Sequence, residues 1–91
     1  SDPVTALKWT TERFDLGISA KTIQAMLTDL GGRIQHFRKE KGLSQQQLAT
    51  ASKLDRSYVS AVEHGKQNVS FATLKNLSDA LDLNIVELID D

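Results

Sequence analysis

The sequence has no cysteine, so no thiolate can serve in it as a metal ligand or a nucleophile. Its two histidines, His36 and His64, lack the HExxH spacing of zinc peptidases, and neither GxSxG nor a glycine-rich phosphate loop occurs. His36 is most simply a surface residue of a helix. We therefore expect no enzyme activity, no metal site and no cofactor.

Long apolar runs and a signal peptide are also absent, which predicts a cytoplasmic protein without a membrane segment. A length of 91 residues suffices for one compact domain of roughly 60 to 80 residues plus a tail. Two domains would not fit.

An excess of positive charge is missing as well, since the net charge is −1, which argues against a generally basic nucleic-acid coat. The charges are unevenly distributed, however. Residues 33–66 hold seven Lys and Arg against three acidic residues, whereas residues 67–91 hold one Lys against five Asp and Glu. This pattern predicts a positive face on the first segment and a negative end opposite.

Residues 42–65, GLSQQQLATASKLDRSYVSAVEHG, contain the most informative pattern of the chain. Ser44 and Gln47 have the spacing of a capping box, so a helix should begin at Gln45. Ala49 is small where a second helix must cross closely. A left-handed backbone is expected at Lys53, and Asp55 is a good N-cap for the second helix, with Leu54 pointing inward. Two short helices joined by such a turn are typical of a helix-turn-helix unit.

The second helix of this unit has two distinct faces when its residues are placed about 100° apart. Val59, Val62 and the ring of Tyr58 fall on one side. The other side presents short or hydrogen-bonding groups beside one long cation, and it consists of Arg56, Ser57, Ser60, Ala61 and His64. Such a face can enter a major groove, where an arginine can donate two bonds to guanine. The alternative is an ordinary solvated face.

Three further helices are expected around this unit. The first covers residues 30–41, with Asp29 as its cap, Ile34 and Phe37 facing the core, and Gly31 and Gly32 permitting close contact. Ser70 should cap a fourth helix with Leu74, Leu77 and Leu81 at helical spacing, and Asn84 a short fifth helix. The predicted fold is all-α, with five helices around one core.

The ordered segments GGRIQHFRKEKG, LSQQQLA, LDRSYVSAVEHGK and SFATLKNLSDALDLNIVELI resemble the phage repressor and Cro class of helix-turn-helix domains, the Xre-like family. The resemblance covers residues 30–89 and implies a lambda-repressor-like DNA-binding domain. It implies an ion pair between Arg38 and Glu63, which agrees with our expectation that a partly buried Glu63 requires a partner. Two unrelated surface charges are the alternative.

The resemblance also implies which residues contact DNA. Base-reading positions would be Gln45, Arg56, Ser57, Ser60 and Ala61. Phosphate contacts would come from the start of the second helix at Ser44, from Tyr58, and from the loop residues His64, Lys66, Gln67 and Asn68. Gly65 fits a C-cap, and the proline that many family members have near Val69 is absent, which leaves this loop less rigid. Arg33 and Lys39 would reach flanking phosphates or be solvated.

The fifth helix contains more large apolar residues than one flank of a small domain easily buries, namely Ile85, Val86, Leu88 and Ile89. We expect some of them to face a second copy, because the family usually forms dimers through this region. Two-fold symmetry would then set two recognition helices about 34 Å apart over an inverted repeat. The alternative is that all four cover the core.

Residues 1–29 lie outside the resemblance. Ser19 could cap a helix over residues 19–28 with Ile23, Met26 and Leu27 on one face, and the segment before it, with Trp9 and Phe14, suits a short strand or an irregular helix. Three roles are open for this extension: packing on the domain, extending a dimer interface, or binding a partner protein.

The sequence thus predicts a sequence-specific regulator of transcription, in particular a dimeric repressor that binds double-stranded DNA at an inverted-repeat operator. An antitoxin that neutralises a toxin protein and represses its own promoter is the alternative, and a neighbouring toxin gene would favour it. A restriction-modification controller is a third variant, distinguished by adjacent methyltransferase and nuclease genes.

Overall fold

The computed structural model describes residues 16–89, and these form five α-helices and no strand. The helices are α1 (Leu16–Glu40), α2 (Gln45–Ser52), α3 (Arg56–Glu63), α4 (Phe71–Ala80) and α5 (Ile85–Ile89). Helix α3 packs between α1 and α2, α2 also contacts α4, and α5 closes the bundle against α1 and α4. The expected all-α fold of five helices is confirmed.

Helix α1 differs from the prediction, which placed separate helices over residues 19–28 and 30–41. One helix begins at Leu16, before Ser19, and passes through Asp29 without a break. Partly or fully buried Leu27, Leu30, Ile34 and Phe37 follow one another at helical spacing, so a single apolar stripe crosses the glycine pair. Packing along that stripe outweighs the cost of two glycines, which is about 1 kcal/mol each. The expectations for Trp9 and Phe14 lie outside the described residues.

Local capping residues set the beginnings of α2 and α4 as predicted. The Ser44 hydroxyl accepts from the Gln47 amide at 3.0 Å while the Gln47 side chain accepts from the Ser44 amide at 2.8 Å, a complete capping box. Ser70 Oγ accepts from the Thr73 amide at 3.1 Å.

The caps of α3 and α5 depart in detail from the prediction. Asp55 occupies the N-cap position of α3, but its side chain makes no capping hydrogen bond. At the start of α5, the Glu87 carboxylate accepts from the Asn84 amide at 2.9 Å. The side chain three residues further on therefore supplies the cap bond there.

Helices α1 to α4 all end in the same way, with one residue at positive φ directly after the last turn. These residues are Gly42, Lys53, Gly65 and Asp82, with φ between 58° and 75°. In each case the following amide bonds back to a carbonyl five residues earlier, as Leu54 N does to Ala49 O at 2.8 Å, which is the Schellman arrangement. The left-handed backbone expected at Lys53 is confirmed.

The core lies where all five helices meet. Its fully or nearly fully buried side chains are Ile34, Leu48, Ala49, Val59, Val62, Leu77, Leu81 and Leu88. Phe37, Leu54 and Tyr58 are partly buried against it, as expected for the apolar face of each helix. None of the helices in residues 16–89 combines the length and apolar character needed to cross a membrane.

Candidate nucleic-acid interface

The crossing of α2 over α3 determines how α3 is presented. Ala49 is completely buried at this crossing, and Ser52 beside it is buried with its hydroxyl donating to the Leu48 carbonyl at 2.6 Å. The small size of both residues lets the two helices approach closely. Asp55 follows directly after the turn, so α3 starts at a fixed point against α2.

Helix α3 has one buried and one accessible face, as its sequence predicted. Val59 and Val62 are almost fully buried, whereas Arg56 and Ser57 are exposed and Ser60 and Ala61 are half-buried. Steps of three and four residues connect these four positions, so they share one side of the helix. The accessible face therefore combines short side chains with one long cation at its N-terminal end.

The buried side of α3 ends in a satisfied carboxylate. Arg38 donates to Glu63 through Nε at 2.6 Å and through Nη2 at 3.1 Å, and both residues are buried. Its third nitrogen, Nη1, donates to the Leu43 carbonyl at 2.8 Å. The ion pair thus ties the end of α1 and the loop before α2 to the last residue of α3, with the bidentate geometry that makes such pairs strong.

Gln45 joins this network in a way the sequence did not indicate. Its side-chain amide donates to Glu63 Oε1 at 3.0 Å and is half-buried. A glutamine engaged in this bond positions α2 relative to α3, and its second N–H and its carbonyl oxygen are the groups left to contact a base. The two residues are 18 positions apart, and no local spacing rule links them, so the sequence contained no signal for this bond.

The loop after α3 is anchored by backbone and side-chain bonds. The amides of Gly65 and Lys66 donate to the carbonyls of Val62 and Ala61 at 3.0 Å and 2.9 Å. His64 Nδ1 lies 2.7 Å from the Ser60 carbonyl oxygen, and Tyr58 Oη donates to the Asn68 carbonyl at 3.4 Å. Exposed side chains then line the outer side of this loop at His64, Lys66, Gln67 and Asn68.

The two cations considered for contacts with flanking phosphates, Arg33 and Lys39, have different environments. Arg33 is half-buried, and its Nη1 donates to the Leu88 carbonyl at 3.2 Å at the end of α5. Such a bond satisfies a helix-terminal carbonyl, which explains its orientation. Arg33 therefore has a structural role here, whereas Lys39 is exposed.

Helix α5 divides its apolar residues between core and surface, which corrects the expectation for one of them. Leu88 is completely buried in the core, and Ile85, three positions earlier, is half-buried. Val86 and Ile89, also three positions apart, keep 54% and 52% of their surface exposed. Leu88 is thus a core residue rather than a surface residue available to a second copy, because it faces α1 and α4.

No group of three or more His, Cys, Asp or Glu side chains between residues 16 and 89 is placed to hold a metal ion.

Comparison with known proteins gives consistent results for the same stretch. The helix-turn-helix family model matches residues 34–88. Control protein C.MunI of Mycoplasma sp is 42% identical over 62 residues, which cover 67% of this chain and 84% of that protein. The crystal structure of the restriction-modification controller C.AhdI from Aeromonas hydrophila is 48% identical with a TM-score of 0.70, covering 70% of this chain and 97% of that one.

A second similar structure is that of the SinR protein/SinI protein complex, which is 38% identical with a TM-score of 0.65. The match covers 68% of this chain and 61% of that one. Together with the accessible face of α3, these matches establish the expected resemblance. The chain belongs to the Cro/C1-type, Xre-like family of helix-turn-helix DNA-binding transcriptional regulators.

Proposed function

We propose that this chain acts as a transcriptional repressor, binding double-stranded DNA sequence-specifically as a homodimer on an inverted-repeat operator. The accessible face of α3 is the observation that supports this most directly. Ser57, Ser60 and Ala61 are short enough for the helix backbone to approach the base edges, and Arg56 is exposed beside them. Arginine can donate two parallel hydrogen bonds to O6 and N7 of guanine in the major groove.

Phosphate contacts on either side of α3 would fix the position of this helix along the DNA groove. At the start of α2, the amides of Gln45 and Gln46 have no acceptor inside their own helix, and the helix dipole favours an anion there. Ser44 lies at the same end, although its hydroxyl already accepts from Gln47. On the other side of α3, the following loop exposes Lys66, which would contact a phosphate. The other phosphate contacts on this side would come from His64, Gln67, Asn68 and Tyr58.

A second copy would be recruited through α5. Val86 and Ile89 form a small exposed apolar pair on the side of α5 opposite Leu88. One module with a few phosphate contacts binds too weakly and with too little discrimination to find a site in a genome. Pairing two modules about one helical turn apart doubles the number of bases that are read.

A narrower candidate is control of restriction-modification genes. The similarity to C.AhdI along 97% of its length, together with that to control protein C.MunI, favours it. This candidate predicts that the operator lies beside methyltransferase and endonuclease genes.

The test is selection of bound sequences from a random duplex library by the 91-residue chain, at a stated salt concentration near physiological. Recovery of an inverted repeat with half-sites about one helical turn apart is expected. Recovery of unrelated duplexes, or of none above background, would contradict the proposal. It would favour a module that acts through a protein partner, as an antitoxin would; the SinR protein/SinI protein complex is a case in which a similar chain binds another protein.

A further inference from the structure

The N-terminal half of α1 contacts the loop after α3, although it precedes the stretch matched by the family model, residues 34–88. Gln24 Nε2 donates to the Gly65 carbonyl at 2.8 Å, across 41 positions of sequence. The same amide group lies 3.3 Å from Thr28 Oγ1, one turn further along α1, which holds the glutamine side chain over the loop.

Gly65 is fitted closely against this part of α1. Its φ is +70°, and a Cβ atom at this position would lie 2.8 Å from Thr28 Oγ1 and 2.9 Å from Thr28 Cα. Glycine is therefore required both for the backbone conformation and for the close approach of the helix.

The bond from Gln24 fixes more than one carbonyl. The Gly65 carbonyl and the Lys66 amide belong to one planar peptide group. Its oxygen accepts from Gln24, and its N–H donates to the Ala61 carbonyl at 2.9 Å. The peptide is thus held at both ends, and its orientation sets the direction in which Lys66 and the next residues leave α3. The sequence has no proline between His64 and Ser70, so contacts must supply the order that a proline would give.

We propose that Gln24 is a positioning residue for the phosphate-contacting loop, residues 64–68, and that the N-terminal half of α1 braces this loop for DNA binding. The inference rests on the proposed function for its effect on DNA affinity. Its effect on the loop of the free protein is independent of DNA.

The variant that tests it is Gln24→Met, which keeps the length and helix propensity of the side chain but removes the donor. The chain offers a matched control in Gln46→Met. Gln46 donates to Thr50 Oγ1 at 3.2 Å with the same spacing of four residues, but on α2 and without a bond to the loop.

The first readout is amide hydrogen exchange in the free protein. Exchange of the Gly65 and Lys66 amides should accelerate about threefold to tenfold in Gln24→Met, the equivalent of one exposed hydrogen bond. Core amides such as that of Val59 should change less. A loss of global stability would instead accelerate the exchange of loop and core amides together. Gln46→Met should leave the loop amides unchanged.

The second readout is affinity for the selected duplex as a function of salt. Gln24→Met should bind about threefold to tenfold more weakly, and the slope of log K against log salt should fall by about 1 if one phosphate contact is lost. Faster loop exchange with unchanged DNA affinity would overturn the positioning role. Unchanged loop exchange relative to the core would overturn the bracing itself.

If the unmodified chain selects no duplex, the proposed function fails. Acceleration confined to Gly65 and Lys66 would then still support the bracing of the loop by Gln24.

Discussion

The carboxylate of Glu63 is buried and accepts three hydrogen bonds, two from Arg38 and one from Gln45. Its partners come from the end of α1 and the beginning of α2, so a single residue at the end of α3 fixes the orientation of that helix. Removing one partner of a buried ion pair leaves the other charge without compensation, which costs more than the pair contributes.

Glu63→Ala is therefore expected to destabilise the fold by about 3–5 kcal/mol, measured as the free energy of unfolding in urea. It should lower the melting temperature but leave the base preference of the folded protein unchanged. Glu40→Ala, an exposed carboxylate near His36, is the control and should change stability by less than about 0.5 kcal/mol. Replacing both partners, as Arg38→Met with Glu63→Leu, should restore much of the loss. We would reject this role of the ion pair if the double variant lost as much free energy of unfolding as Arg38→Met and Glu63→Leu lose together.

Arg56 is the residue on which base specificity should depend most. Arg56→Ala is expected to cost about 1–3 kcal/mol of binding free energy on the selected site and to relax the preference at one base pair. Lys75→Ala, which removes an exposed cation on α4 paired with Asp79, serves as the control for general electrostatics. The measurement is selection from the random duplex library. An unchanged sequence preference for Arg56→Ala would show that Arg56 reads no base.

Among the elements, α1 and α3 are in contact through their backbones. A Cβ atom on Gly31 would lie 2.7 Å from the Glu63 carbonyl oxygen and closer still to that of Val62, whereas one on Gly32 would meet nothing within 4 Å. The close contact expected for the glycine pair is thus confined to Gly31. Because the carbonyls belong to the last turn of α3, this contact also determines how α3 lies on the bundle.

The adjacent glycines provide a matched pair of variants. Gly31→Ala should destabilise the protein by about 1–3 kcal/mol, because α1 must move away from the end of α3. Gly32→Ala should stabilise it by about 0.5–1 kcal/mol through helix propensity alone. Urea unfolding of both variants checks the difference. Equal effects of the two substitutions would show that the close approach at Gly31 is not required.

For the whole molecule, the uneven charge distribution and the exposed surface of α5 matter most. Within the positive segment, Arg38 is neutralised by Glu63 and Lys41 pairs with Asp82, so Lys53, Arg56 and Lys66 provide exposed positive charge near α3. The acidic residues that follow α3 lie on α4 at Asp79, in the turn after α4 at Asp82 and on α5 at Glu87. If α3 is the DNA-reading helix proposed above, this separation should favour approach to DNA with α3 forward.

Val86→Glu combined with Ile89→Glu should convert the proposed dimer to a monomer, because two charges from each copy would have to be buried at the interface. Helix content should persist, since both side chains are exposed. Phe71→Glu is the control, because it adds a charge at another exposed apolar residue, on α4. Sedimentation equilibrium gives the molecular mass and duplex titration the affinity. A double variant that remains dimeric would place the interface elsewhere.

What the sequence alone determined is local. The capping box at Ser44, the cap at Ser70, the left-handed Lys53 and the two faces of α3 follow from interactions between residues a few positions apart, and the structure contains each of them. The break expected at Asp29 was wrong, because the glycine pair was given more weight than the apolar stripe that crosses it.

The Arg38–Glu63 pair, 25 positions apart, was implied by the resemblance, but only the tertiary structure decided the other partners that meet across long separations. Gln45 bonds to Glu63, Gln24 to Gly65 and Arg33 to the end of α5, and Leu88 is buried whereas Val86 and Ile89 are exposed. The physical reason is that side-chain periodicity fixes the face of a helix but not the neighbour that covers it. The packing of α1 against α3 and α5 chooses that neighbour, and with it the supports of the proposed DNA-binding surface.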